Sequence, residues 1–171
     1  FIAIFAMNLC KMIEHQMWWT PERKDHPLRQ ILKTPKYNTM FQKLERLGIG
    51  IEDLKTYNEN QLKSLLRNDH IAMEAKRFPT INIGVRYQPM SDTIVSLTIN
   101  VIFPFDWDRS IVHETEMFWV FVQEVDGSAI YHAQEVTVDR RIAKEGLDLQ
   151  VLVPLSNSNM YLITISSVRF L

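Results

Sequence analysis

The 171 residues carry 19 Lys/Arg against 20 Asp/Glu, a formal charge of −1, with 46% apolar and 23% charged residues. That balance excludes a disordered chain and a global field built to attract nucleic acid, and the length suits one ordinary domain or two small ones. The single cysteine, Cys10, excludes an internal disulfide, and with no Asn-x-Ser/Thr sequon the chain reads as one from a reducing, intracellular compartment.

The charge is uneven along the chain. Residues 1–30 carry a net +1, residues 31–78 a net +3 and residues 79–171 a net −5. The chain opens on seven apolar residues, Phe1 to Met7, but Asn8, Lys11 and Glu14 interrupt the run well short of the ~20 residues of a membrane span. No basic start or small-residue cleavage site marks a signal peptide. Residues 1–18 read as a helix, with Phe5, Leu9, Met12, Ile13 and Met17 on an apolar face and Asn8, Lys11, Glu14 and His15 mainly on the polar side. So much apolar surface asks for a bundle around it, and both chain ends read as boundaries within a longer protein. Thr20-Pro21 stops the helix, and Trp19 to His26 form a polar loop.

A second helix is expected over 34–47, with Thr34 as N-cap, Pro35 at the first helical position, Met40, Phe41, Leu44 and Leu47 on one face and Gly48 as C-cap. Gly48 to Leu54 reads as a tight connector. A third helix starts at Asn58, with Gln61 as capping-box partner, and buries Leu62, Leu65 and Leu66. A fourth runs from about Asp69 to Arg77, burying Ile71 and Met73 or Ala75. Short helices around one small core make a helix-hairpin-helix-like unit.

At Phe78-Pro79 the apolar period switches to two. Candidate strands are Ile81–Gln88, Thr93–Phe103, Glu116–Val125, Ala129–Val138, Leu147–Leu155 and Met160–Phe170, rich in Val, Ile, Thr, Tyr and Phe. Asp126-Gly127 is a hairpin turn between the third and fourth. The fold class is therefore α+β: a helical segment and a helix-hairpin-helix-like unit, then an antiparallel sandwich of immunoglobulin or fibronectin type. Trp107 and Trp119 are expected to be largely buried. Such sandwiches usually have seven strands, so the last is expected to be lacking.

Little here resembles an active site. None of the five glycines fits G-x-x-x-x-G-K-[ST], and Gly48-x-Gly50 follows a helix rather than the strand a dinucleotide loop needs. His15, His26, His70, His113 and His132 share no ligand spacing on a helix, and one cysteine builds no thiolate site. Asp106-Trp107-Asp108 with nearby His113 is the most enzyme-like cluster, but on a strand it reads as a core tryptophan flanked by solvated acids. Cys10 beside an apolar helix face behaves as a small hydrophobe. The Lys and Arg residues between 23 and 77 could hold phosphates or simply solvate helices; the residues alone leave both readings open.

Several motifs then coincide in order: Asn8-Leu9-Cys10-Lys11-Met12-Ile13, Met17-Trp18, Pro27-Leu28-Arg29-Gln30, Gln88-Pro89, Phe105-Asp106-Trp107-Asp108 with His113, Phe118-Trp119-Val120, Glu124-Val125-Asp126, Tyr131-His132, Val153-Pro154 and Ser167-Val168-Arg169-Phe170-Leu171. Together they resemble the C-terminal part of the Sec sixty-three homology unit of large Ski-two-like RNA helicases, and within that family its spliceosomal branch. The chain departs from the family in three places. The Trp19–His26 loop is longer, Arg67-Asn68-Asp69-His70 lacks the hairpin glycine, and the loop after Val153-Pro154 shrinks to Leu155-Ser156-Asn157-Ser158-Asn159.

The resemblance implies residues 1–30 as the last helix of a helical bundle and a linker, 31–78 as the helix-hairpin-helix-like unit, and 79–171 as the fibronectin type III-like sandwich. It implies a nuclear, non-catalytic accessory unit of a helicase in pre-mRNA splicing, guiding single-stranded RNA weakly and without sequence preference. Arg29, Lys33, Lys36, Lys43, Arg46 and Arg67 become the candidate nucleic-acid-binding residues. The implied partners are the motor domains of the same parent chain and a large spliceosomal scaffold protein, with no membrane. No cofactor or metal belongs to this chain; ATP and magnesium belong to the parent's motor domains. The alternative is a protein-interaction domain of the endoplasmic-reticulum translocation machinery.

Overall fold

The computed structural model describes residues 2–20, 23–155 and 160–170. Pro21 and Glu22 of the first loop, Ser156–Asn159 of the shortened loop, and Leu171 lie outside the described residues.

Helix α1 (Ile2–His15) is followed by 3-10 turns at Pro27–Gln30 and Pro35–Tyr37. Then come α2 (Asn38–Leu47), α3 (Ile51–Thr56), α4 (Glu59–Leu66) and α5 (Asp69–Arg77). The expected stops and starts act locally. Gly48, at φ +66, supplies the left-handed residue that closes α2. Asn58 and Gln61 exchange side chain-to-backbone hydrogen bonds at 2.9 Å, the capping box of α4. Leu28, Phe41, Leu44, Leu54, Leu62, Ile71 and Ala75 form the centre of the helical core. Three readings need correcting. Thr34 makes no side-chain cap, and Pro35 opens a 3-10 turn instead of the α-helix, which starts at Asn38. The connector after Gly48 is partly helical, because the Asp53 carboxylate accepts the Gly50 N–H (2.8 Å) and starts α3. Of the pair Met73 and Ala75, Ala75 is the buried one.

The largest correction concerns α1. Met12 and Met17 are buried, but Phe5, Leu9 and Ile13 are 61%, 41% and 70% exposed, whereas Lys11 from the supposed polar side is only 2% exposed. Cys10, expected beside the buried face, is exposed too. The helix lays its polar side on the sandwich because backbone and side-chain acceptors wait there. The Lys11 ammonium donates to Ser166 Oγ (2.7 Å) and to the Phe170 carbonyl (3.0 Å), and His15 Nε2 meets the Arg169 carbonyl at 2.7 Å.

The rest is two three-stranded antiparallel sheets, so the fold is α+β as expected. One sheet is ordered β1 (Asn82–Pro89), β2 (Ile94–Ile102), β5 (Leu147–Pro154), and the other β4 (Ile130–Asp139), β3 (Thr115–Glu124), β6 (Tyr161–Ser167). Two short helices, α6 (Arg109–Val112) and α7 (Arg140–Glu145), sit in the crossings between sheets. Between the sheets, Val95, Leu97, Ile99, Val101 and Val153 meet Phe118, Val120, Val122 and Val138 in one core. The Asp126-Gly127 turn joins β3 to β4, with Gly127 at φ +75.

Strand β6 stops at Ser167, three residues short of the expected end. The Ser167 hydroxyl accepts the N–H groups of Arg169 (2.9 Å) and Phe170 (2.8 Å), turning the chain out of the sheet. Phe170 thereby packs against the helical core, edge-on to Phe78 at 5.9 Å. Trp107 and Trp119 are half-buried rather than largely buried. Trp107 lies in the loop after β2, not on a strand. Trp119 lies on the outer face of β3, stacked on Phe121.

Glu116, 2% exposed, completes the seam between the two parts: it accepts from Ser167 Oγ (2.6 Å), stands 3.6 Å from Arg169 Nη1, and attracts the charge of Lys11. Replacing Glu116→Gln keeps the shape and strands two cations, so urea titration should show a loss of about 3–5 kcal/mol; a change below about 1 kcal/mol would mean the seam holds without this charge. Burial pulls the Lys11 pKa down to about 8, with Glu116 opposing. The folded value lies below the unfolded one, near 10.4, so the unfolded chain holds more protons between them. The stability of the native chain relative to Lys11→Met should therefore rise with pH from about 8 to 10.5.

Candidate nucleic-acid interface

Four of the six candidate cations converge on one surface. Lys36, Lys43, Arg46 and Arg67 line an open concavity of about 750 Å³ with Thr39, Met40, Gln42, Leu65 and Leu66. The local sequence explains the convergence. In α2, Phe41 and Leu44 turn into the core, so Thr39, Lys43 and Arg46, at spacings of four and three, share the opposite face. Lys36 enters from the preceding turn with its ammonium 4.8 Å from the Tyr37 ring centroid. Leu65, Leu66 and Arg67 form the far wall at the end of α4. Lys43 Nζ donates to the Leu65 carbonyl (3.2 Å), which satisfies one of the orphan acceptors at that helix end and joins the two walls.

No carboxylate lines this concavity among the described residues. Four side chains carry positive charge there, backed by Thr39 and Gln42 as hydrogen-bonding groups. That composition suits phosphate oxygens held without reading of sequence.

Arg67 occupies the family's glycine position. It sits at φ +50, ψ +30, the left-handed region, and its N–H donates to the Lys63 carbonyl at 2.8 Å. Asn68 then caps α5 by accepting the Ile71 N–H at 3.2 Å. The turn keeps the conformation glycine would give, at a steric cost of about 1 kcal/mol, and gains a cation at the rim.

The remaining two candidates stand apart. The Arg29 guanidinium is spent internally: it donates to both Glu45 carboxylate oxygens (2.8 and 3.2 Å) and to Asn38 Oδ1 (3.0 Å), and lies over the Phe41 ring at 4.7 Å. Burial pushes the Glu45 carboxyl up, but hydrogen bonds from Arg29 and from the His26 N–H outweigh it and hold the pKa below the usual value. His26 is buried against Phe41, with Nδ1 accepting the Leu28 N–H, and burial lowers its pKa to about 4. This cluster is a strut for the helical core. Lys33 lines a neighbouring hollow of about 480 Å³ that it shares with Glu14 and His15.

The Asp106–His113 region does not assemble an active site. Asp108 caps α6 through Ser110 and pairs with Arg77, Trp107 Nε1 donates to the His113 carbonyl (3.0 Å), and Asp106 points to solvent. Among the described residues, no three His, Cys, Asp or Glu side chains group as a metal site, and no helix is long and apolar enough to cross a membrane. Sequence reasoning missed that Lys36 joins Lys43 and Arg46 across an acid-free hollow; the seven- and three-residue spacings were the available signal.

If Arg67 holds its strained conformation for the sake of its charge, Arg67→Gly should raise the midpoint of thermal unfolding, by an amount equivalent to about 1 kcal/mol. An unchanged or lowered midpoint would mean the arginine stem contributes as much as the strain costs.

Comparison with known proteins gives consistent results. The family model described as the Sec63 Brl domain matches residues 2–171. The chain is similar to the U5 small nuclear ribonucleoprotein 200 kDa helicase of Homo sapiens, 27% identical over 172 residues, which cover 97% of this chain and 8% of that protein. It is also similar to the RQC trigger complex helicase SLH1 of Saccharomyces cerevisiae, 28% identical over 155 residues, 88% of this chain and 8% of that one. The activating signal cointegrator 1 complex subunit 3 of Dictyostelium discoideum is 27% identical over 157 residues, 88% of this chain and 7% of that one. The chain thus spans less than a tenth of these relatives.

Proposed function

Because the chain belongs to the Sec63 Brl domain family, we propose that it is a non-catalytic accessory unit of a large ATP-dependent RNA helicase, holding single-stranded RNA by its phosphates while the sandwich braces the motor cassette or a protein partner. The observation that carries the RNA role is the concavity lined by Lys36, Lys43, Arg46 and Arg67 with no carboxylate. Phosphate-only contacts give weak, sequence-tolerant binding, which suits a strand that must slide through.

ATP and magnesium belong, in this reading, to motor domains elsewhere in the parent, since the five glycines build no phosphate loop. Two of the three relatives described are helicases by name, which supports a helicase parent. A role in pre-mRNA splicing in the nucleus rests on the likeness to the U5 small nuclear ribonucleoprotein helicase. A large spliceosomal scaffold protein is the corresponding partner.

The test is fluorescence anisotropy with labelled 12-nucleotide RNAs of unrelated sequence. The chain should bind them alike, with log K falling against log salt at a slope of about −3 for four phosphate contacts. Charge reversal of Lys36, Lys43, Arg46 and Arg67 to Glu should weaken binding at least about tenfold, and reversal of Arg140 and Arg141 less than about twofold. Equal losses from the two sets would make the effect generic charge and overturn the interface. Nucleotide turnover by the pure chain would overturn the non-catalytic reading.

A further inference from the structure

The two flanks of the sandwich are built differently. On one flank β4 packs near β5, α7 folds back against β4, and Val151 and Val153 of β5 are 2% and 1% exposed. On the other flank β1 and β6 are the sheet edges, and every residue of β1 from Asn82 to Pro89 is exposed.

The register shows that this exposure is not that of an ordinary outer strand. Ile83, Val85 and Tyr87 stand opposite Val101, Ile99 and Leu97 of β2 and so point to the same, inner face. The β2 residues are 1%, 0% and 2% exposed, whereas their β1 neighbours are 42%, 47% and 59% exposed. The inner face therefore continues apolar onto β1, but the opposing sheet stops one strand short of covering it. The strand that ends that sheet is β6. Among the described residues it pairs with β3 alone, so along Leu162–Ser167 the backbone groups facing away from β3 form an open ladder edge.

Edges that must stay free usually carry Lys, Pro or a bulge. Leu162-Ile163-Thr164-Ile165-Ser166-Ser167 carries none, and its register with β3 is unbroken. The other edge of that sheet, β4, carries Glu135 and Asp139. Ile81 and Ile165 line a hollow of about 180 Å³ at one end of the flank, already roofed by Phe170.

From this we propose that the β1–β6 flank is a docking site for one extended, uncharged β-strand, apolar at every second residue. The occupant is fixed by continuity with the existing interface between the sheets. It hydrogen-bonds to the β6 edge along Leu162–Ser167 and lays its inward side chains on Ile83, Val85 and Tyr87. An amphipathic helix could cover the apolar stripe but would leave the β6 backbone unpaired, and a charged segment would bury charge against the stripe.

The experiment uses the 171-residue chain and a blocked octapeptide alternating valine with threonine as the probe. Its controls are the same composition with valines grouped and the same peptide with a central proline. The alternating peptide should slow amide exchange at Leu162–Ser167 at least about tenfold and raise the melting temperature, and neither control should. Val85→Lys and Tyr87→Lys change exposed side chains, so they should leave melting of the free chain unchanged while abolishing the protection. Protection by all three peptides, by none, or equally in the lysine variants would overturn the proposal. So would a dimer with protected Leu162–Ser167 amides that the peptide does not dissolve, because a second copy would then be the occupant.

Discussion

An ammonium group taken out of water must find acceptors, and Lys11 finds them at the far end of the chain. Its side chain reaches Ser166 Oγ and the Phe170 carbonyl, with the Glu116 carboxylate behind them and Arg169 beside that carboxylate. This requirement sets the position of α1 against the sandwich and leaves Phe5, Leu9 and Ile13 facing outward. It also fixes the seam: Ser167 serves Glu116 with its hydroxyl hydrogen and the Arg169 and Phe170 amides with its oxygen, so the strand end, the turn and the buried charge depend on one residue. Arg77 and Asp108 add a second ionic link between the helical part and the sandwich.

The sequence made most elements legible because their signals are local. Gly48, the Asn58–Gln61 box and Asp126-Gly127 each act through the next few residues, and each ends or starts an element where expected. The sandwich pattern was legible because period-two alternation over Val95, Leu97, Ile99 and Val101 reports one face and one core. What failed was orientation. Periodicity gives the apolar face of α1 but not which face meets the sandwich, and a lysine looks solvated until its acceptors, more than 150 residues away, are known. Trp119 was misjudged for a related reason: its strand has a buried face and an outer face, and an aromatic residue is compatible with both.

For the basic surface, sequence supplied the residue types and structure supplied the selection. Arg29 and Arg46 are alike in composition, but Arg29 has Glu45, Asn38 and the Phe41 ring within reach, whereas Arg46 faces an acid-free hollow. A bidentate pair in a half-buried site is a poor donor to anything else. Arg67 presents the reverse case, because a residue ill-suited to its backbone conformation adds the charge its neighbours share. The interface proposed for RNA is thus defined as much by the carboxylates that are missing from it as by the cations in it.

The position of Phe170 has a consequence for how the chain acquires its fold. This ring belongs to the helical core built from residues 28–78, and the carbonyl beside it is bonded to Lys11, 159 positions away. A chain made from its N-terminus presents its helices long before that ring exists. The helical core must then remain incomplete, with Phe78 lacking its edge-on partner, until both sheets have formed and the turn at Ser167 delivers Phe170. Closing a loop of that length makes the last packing step one of high contact order, and it makes the sandwich, in effect, the carrier that brings the final piece of the helical core into place.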